Sequence, residues 1–222
     1  MEEQQEKQVK KRRGCLFYGC LTAFVLMLLV LLGLLVGGRV LKKMYTDFTD
    51  DHPIPLPAVK LSDAEVKELR KRVDDFRESV RAGKPTKPLE LSPDEINALI
   101  ATDDDLAPVK GKLYVLGIEG DKIKARLSVP MEDVSLPVFK GRYLNGDAAF
   151  NLMLKNGIIR LHAQDVTVKG RQVPEVYMQK IRTQNLAQNI NRSPRVSVAL
   201  DWIDNIKVAN GKLVITPKEK GP

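Results

Sequence analysis

Cysteine, histidine and aromatic rings are scarce in this 222-residue chain, which has two Cys, two His, one Trp, five Tyr and six Phe. Each scarcity excludes something. Both cysteines, Cys15 and Cys20, lie near the N-terminus, so everything after them folds without a disulfide or a thiolate nucleophile. His52 sits beside prolines, and His162 stands alone in an alternating strand pattern, so no His/Cys/Asp cluster has metal-ligand spacing. No Gly-x-Ser-x-Gly elbow and no phosphate-binding loop occurs. The few aromatics and the lack of a basic stripe argue against nucleic acid. No catalytic residue, metal ligand or cofactor is assigned, and the expectation is a protein that is not an enzyme.

Charge is missing from one long stretch. From Gly14 to Gly38, 25 residues carry none, and Leu and Val dominate. Lys10, Lys11, Arg12 and Arg13 precede this run; Arg39, Lys42 and Lys43 follow it. As a helix it would be about 37 Å long, enough for a hydrocarbon core of about 30 Å. A cleaved signal peptide would have a shorter apolar region and a small-residue cleavage site, and no Ala-x-Ala pattern follows. Residues 14–38 are therefore read as an uncleaved single-pass anchor whose partner is the lipid bilayer.

The 13 residues before the run carry five Lys/Arg. The 13 from Arg39 to Asp51 carry three, together with Asp47, Asp50 and Asp51. The positive-inside rule then makes residues 1–13 a cytoplasmic basic tail and places the C-terminal body outside the cytoplasmic membrane. The net charge of +8 comes mostly from these flanks. Residues 1–44 hold eight Lys/Arg against three Asp/Glu, while residues 45–222 hold 28 against 25. Cations on the flanks suit anionic headgroups.

Residues 39–60 read as a juxtamembrane segment and a stalk, because Pro53, Pro55 and Pro57 impose an extended chain. An α+β domain is expected over 61–217, with 218–222 a tail. Ser62 and Glu65 form a capping box ahead of the stripe Val66, Leu69, Val73, Phe76 and Val80. The stripe either packs on its own domain or forms a short coiled-coil seam. Ser92, Pro93 and Glu95 start a second helix with Ile96, Leu99 and Ile100 on its apolar face. Asp103, Asp104 and Asp105 end it in a solvated turn, since adjacent carboxylates converge poorly on one ion.

The period then changes to two, and three hairpins follow. Turns at Gly120-Asp121, Asn156-Gly157 and Asn210-Gly211 set the registers. The first puts Ile118 opposite Ile123, Leu116 opposite Ala125 and Tyr114 opposite Leu127. The second pairs Leu154 with Ile159, Leu152 with Leu161 and Phe150 with Ala163. The third pairs Val208 with Leu213 and Ile206 with Ile215. Each register sorts apolar residues to one face. Together they predict a curved antiparallel sheet of about six strands. One later helix, spanning Pro174 to Asn191, is expected to pack on it, with amides at Gln184, Asn185, Gln188 and Asn189 on one side.

The motif Leu91-Ser92-Pro93-Asp94-Glu95-Ile96-Asn97-Ala98-Leu99-Ile100 follows an N-terminal anchor. Gly170-Arg171-Gln172-Val173-Pro174 introduces the late helix. In this the chain resembles membrane-anchored bacterial proteins of the YpmS type and, more distantly, TULIP-like and LmeA-like lipid-binding domains. The resemblance covers roughly residues 89–217. It implies a sheet wrapped around the late helix, with a groove for acyl chains lined by Leu116, Ile118, Phe150, Leu152, Ile159, Leu161, Met178 and Ile181. The same residues would equally serve an ordinary core.

Three functions follow in order. The first is a membrane-anchored, non-enzymatic protein that binds lipid or another apolar envelope component in that groove. The second is an interaction module of the cell envelope that docks a partner protein on the amide face or the Val66–Val80 stripe. The third is a hydrolase with a carboxylate site. Orientation is the expectation most directly checked. A reporter that is active only when exported, fused after Pro222, is expected to be active, and activity only of a cytoplasmic reporter at that position would reverse the topology.

Overall fold

A computed structural model describes residues 14–132 and 140–219 of the chain. Within these, the side chains of 14–22, 41, 44, 45, 189, 194 and 195 are left undescribed. The first helix, α1, runs Gly14–Phe48 and contains a stretch, Ala23–Val40, apolar and long enough to cross a membrane. It continues past the expected end at Gly38, because nothing before Pro53 breaks a helix and Lys42 and Lys43 favour one. Near its end the Thr46 hydroxyl donates to the carbonyls of Lys42 and Lys43, at 2.9 and 3.0 Å.

A compact unit begins at Asp47, so residues 47–60, read from sequence as stalk, belong to the domain. Phe48 packs on the core and Thr49 is buried. Asp50 and Tyr143 exchange two backbone hydrogen bonds of 2.8 Å. The Asn145 amide donates to Asp50 Oδ2 at 3.0 Å and to the His52 carbonyl at 2.8 Å. The Ile54 N–H reaches Ser128 Oγ at 3.2 Å. The prolines do extend this segment, as expected, but its remaining polar groups fasten it along the domain.

The capping boxes form as the sequence indicated. Ser62 and Glu65 start α2 (Asp63–Arg81), and Ser92 and Glu95 start α3 (Pro93–Thr102). Between them lies β1 (Leu89–Leu91). The α2 stripe is covered by its own domain, as Leu69 and Val73 pack with Leu89, Leu91, Ala98 and Leu99. A short 3-10 turn, Asp104–Val109, follows with Asp103 as its N-cap.

The chain is α+β, with strands in two antiparallel sheets. The larger has the order β2 (Leu113–Glu119), β3 (Lys122–Pro130), β4 (Tyr143–Lys155), β5 (Ile158–Val168), β6 (Arg171–Gln172). The smaller has β1 beside β8 (Lys212–Pro217) beside β7 (Ile203–Ala209). All three hairpins turn where expected. Asn156, Gly157, Asn210 and Gly211 all have positive φ, as a tight two-residue turn with right-handed twist requires. The second and third registers are those read from sequence.

Two differences have identifiable causes. In the first hairpin a bulge between Val115 and Gly117 leaves Leu116 without a cross-strand partner. Val115 instead faces Ala125, Tyr114 faces Arg126 and Leu113 faces Leu127. Glycine inside a strand commonly marks such a bulge. The other difference is that the third hairpin does not extend the larger sheet. The third hairpin pairs with β1 instead, while asparagine side chains bond Val115 of β2 and the part of β5 that β6 leaves uncovered.

On the β2 edge, buried Asn97 accepts from the Val115 N–H at 2.7 Å and donates to the Val115 carbonyl at 2.8 Å. On the β5 edge, Asn185 accepts from Leu161 N–H at 3.0 Å and donates to the Ile159 carbonyl at 2.9 Å. Asn191 accepts from Ile159 N–H at 3.0 Å and donates to the same carbonyl at 2.8 Å. Each carboxamide does what a neighbouring strand would do. To reach β5 the late helix must break. It becomes α4 (Glu175–Thr183), a linking turn, α5 (Gln188–Asn191) and α6 (Pro194–Leu200).

Asn97→Ala would leave a buried N–H and a buried C=O without partners, each worth about 1–3 kcal/mol. It is expected to destabilise the domain by about 2–4 kcal/mol in urea unfolding, whereas Gln184→Ala, at an exposed position, leaves the midpoint unchanged.

Candidate functional site

Six of the eight residues proposed to line a groove lie in core clusters. Helix α4 does pack on the larger sheet, where Phe150, Leu161, Met178 and Ile181 meet Ala125, Leu127, Ala148 and Ala163. Three alanines on the sheet leave room for the Met178 and Phe150 side chains, and these fill it. Ile118 and Leu152 belong to a separate cluster with Ile100, Val115 and Ile123. Ile159 is half-buried, and its backbone is taken up by Asn185 and Asn191. Leu116, the bulged residue, is 41% exposed and does not face this core. The eight positions are thus divided between two packed clusters and the surface.

The amide face is also divided. Gln184 and Gln188 are exposed, as a contact surface needs. Asn185 points inward and its carboxamide is consumed by β5. The side chain of Asn189 lies outside the described residues. Asn97 and Asn191 carry structural roles that sequence reasoning did not assign. Asn97 stood in a recognisable motif, but on an apolar helix face with no visible partner. Its partner is a backbone 18 residues away, exposed by a bulge.

Two surface depressions border α2, and neither contains any of the eight groove positions. One, about 700 Å³, lies among Leu61, Arg72, Phe76, Glu90, Glu95 and Lys212. Its carboxylates are held by cations: Arg72 pairs with Glu95, and Lys212 Nζ lies 2.8 Å from Glu90. Burial acts to raise the Glu95 pKa. The Ser92 N–H and the Arg72 guanidinium outweigh it and hold the carboxyl below its ordinary 4.5. An acid catalyst at neutral pH needs the opposite shift.

The other depression, about 330 Å³, lies among Arg70, Arg77, Thr102 and Asp103 to Asp105. Asp103 is paired with Arg77 at 2.9 Å, and its other oxygen accepts from the Asp105 N–H at 3.0 Å. The three aspartates are therefore a cap and a solvated turn. Among the described residues no group of three or more His, Cys, Asp or Glu comes together to hold a metal ion. His162 Nδ1 donates to the Arg182 carbonyl at 3.0 Å, and no nucleophile accompanies it.

The exposed apolar side chains of the domain concentrate elsewhere. Val176 is 78% exposed and Val198 is 58% exposed, and Tyr177, Leu186 and Ile190 are also open to solvent. All five lie in the α4–α6 segment. Their exposure follows from the edge contacts: Asn185, Ala187 and Asn191 turn inward, so Leu186, Gln188 and Ile190 turn out.

No protein-family model matches this chain, and no characterised protein or solved structure shows significant similarity to it. The resemblance to proteins of the YpmS type rests on the sequence motifs alone.

Because the Glu95 pKa is depressed in the folded state, its contribution to stability is full above about pH 4.5 and is lost as pH falls through the folded value. Urea midpoints of the wild type are expected to fall more steeply from about pH 6 to about pH 3 than those of Glu95→Gln, which cannot titrate. Parallel curves would remove Glu95 as a source of acid sensitivity.

Proposed function

We propose that this protein is a single-pass, membrane-anchored binding module. In this reading its α+β domain is extracytoplasmic, is not an enzyme, and acts through its α4–α6 surface. The observation that carries the reading is the separation of apolar side chains into two sets. Six of the eight expected in a groove are packed in two core clusters, whereas Val176, Leu186, Ile190 and Val198 are left in water. Soluble monomers seldom keep such residues together on one segment without a use for them. A lipid held between α4 and the sheet would have to displace Phe150 and Met178, each at most 5% exposed.

Support for the membrane part comes from Ala23–Val40, none of which is buried within the protein. The pairing of Glu90, Glu95 and Asp103 with cations favours binding over hydrolysis. The extracytoplasmic placement rests on the charge bias around residues 14–38.

A photo-crosslinking residue at Val198 or Leu186, in the full chain in its membrane, is expected to give adducts. The same residue at Glu68, on the exposed side of α2, is expected to give none. Equal yields at all three positions, or none at any, would remove the α4–α6 surface as the binding site.

A further inference from the structure

The net positive charge of the body falls in this same segment, because acidic residues are sparse there. Residues 45–222 hold 28 Lys/Arg against 25 Asp/Glu, an excess of three. Residues 173–200 hold four (Lys180, Arg182, Arg192 and Arg195) against one, Glu175, which is also an excess of three. Outside this segment the body has 24 of each sign. The whole net positive excess of the body therefore lies in the 28 residues that also expose five of its apolar side chains; Leu116, Met153 and Ile158 are exposed outside them.

Cations without an ion pair among the described residues occur elsewhere too, as at Lys67, Lys71, Lys84 and Lys155, while others are paired. Arg72, Arg77, Arg126, Lys169 and Lys212 are each matched to a carboxylate. Within the segment Arg182 is matched to Glu175. Lys180 and Arg192 are exposed and make no ion pair among the described residues. On α4, Val176 and Lys180 are one turn apart, on the side opposite buried Met178. An apolar side chain next to an unpaired, snorkelling cation is the arrangement that suits a membrane interface.

We infer that the α4–α6 surface docks on an anionic lipid bilayer, with Val176, Leu186, Ile190 and Val198 entering the headgroup layer and Lys180 and Arg192 meeting lipid phosphates. The inference rests on the reading of this segment as the binding surface and names what it binds. Three observations favour a bilayer over a protein. A fluid, negatively charged surface needs no shaped seat, and neither depression contains a residue of the segment. The net charge is positive, with Glu175 as its one acid, and the exposed apolar residues are four aliphatic side chains and Tyr177, as interfacial contact allows. The chain also contains a helix long enough to cross a membrane, so a bilayer is within reach of every molecule. The edge contacts of Asn185 and Asn191 supply the rigidity, holding Leu186 and Ile190 outward before any contact is made.

The test uses the full chain with Cys15→Ser, Cys20→Ser and Val198→Cys, labelled at residue 198 with the environment-sensitive dye NBD. The protein is reconstituted in phosphatidylcholine vesicles with and without phosphatidylglycerol. Phosphatidylglycerol is expected to blue-shift the dye and to increase its quenching by doxyl lipids severalfold. Added salt, which shortens the range of charge interactions, and the pair Lys180→Glu with Arg192→Glu should each abolish the increase. Both are exposed positions, so an unchanged urea midpoint certifies folding. Equal quenching in the two vesicle types, or none in either, overturns the bilayer assignment. If crosslinking at Val198 then yields protein adducts, the surface stands and its occupant is an acidic protein. If crosslinking also fails, the surface itself falls.

Discussion

Three asparagine side chains close the edges of the larger sheet, and much of the fold depends on how they do it. A strand edge exposes alternating N–H and C=O groups that invite another strand. Here Asn97 occupies the β2 edge, and Asn185 with Asn191 occupies the β5 edge. A carboxamide carries one acceptor and one donor group side by side, so it satisfies a residue's N–H and C=O together. The last hairpin pairs with Leu89–Leu91 and builds a second sheet. The late helix breaks because a helical Asn185 could not meet Leu161, and the break produces the exposed segment.

The start of the domain follows similar logic with charges. Thr49 is buried, and its carbonyl accepts from Lys169 Nζ at 2.9 Å and from Arg142 at 2.7 Å. Lys169 also pairs with Asp50 at 2.8 Å. Asn145 bridges Asp50 and His52 while accepting from Ser128 at 2.9 Å. An extended proline segment cannot hydrogen-bond internally, so side chains of the sheet do it instead. This explains how a stretch with the composition of a free linker becomes part of the folded domain.

The proposed function turns on which apolar residues are consumed by packing. Alternation in a strand shows that a residue faces inward but not whether that interior is hollow. Ala125, Ala148 and Ala163 allow α4 to approach the sheet closely, and Phe150 and Met178 occupy the remaining space. The small residues that would widen a cavity on an isolated sheet here bring a helix down onto it. The proposed contact surface is the outside of the late segment, which exposes Val176, Leu186, Ile190 and Val198 together with Lys180 and Arg192.

By itself the sequence determined the apolar helix, both capping boxes, the three turns and two of the three registers. These rest on interactions a few residues apart: a hydroxyl and a carboxylate three apart, glycine at positive φ, an uninterrupted apolar run. Tertiary structure alone decided the bulge that turned Leu116 out, the separate second sheet, the break after Thr183 and the inward turn of Asn185. Each depends on a partner distant in sequence, as when Asn97 meets Val115 or Asn191 meets Ile159. A polar side chain satisfied by distant backbone looks, in sequence, the same as one left free for a ligand. Only the packed structure distinguishes them, because burial and hydrogen-bond geometry exist only once those distant segments are in contact.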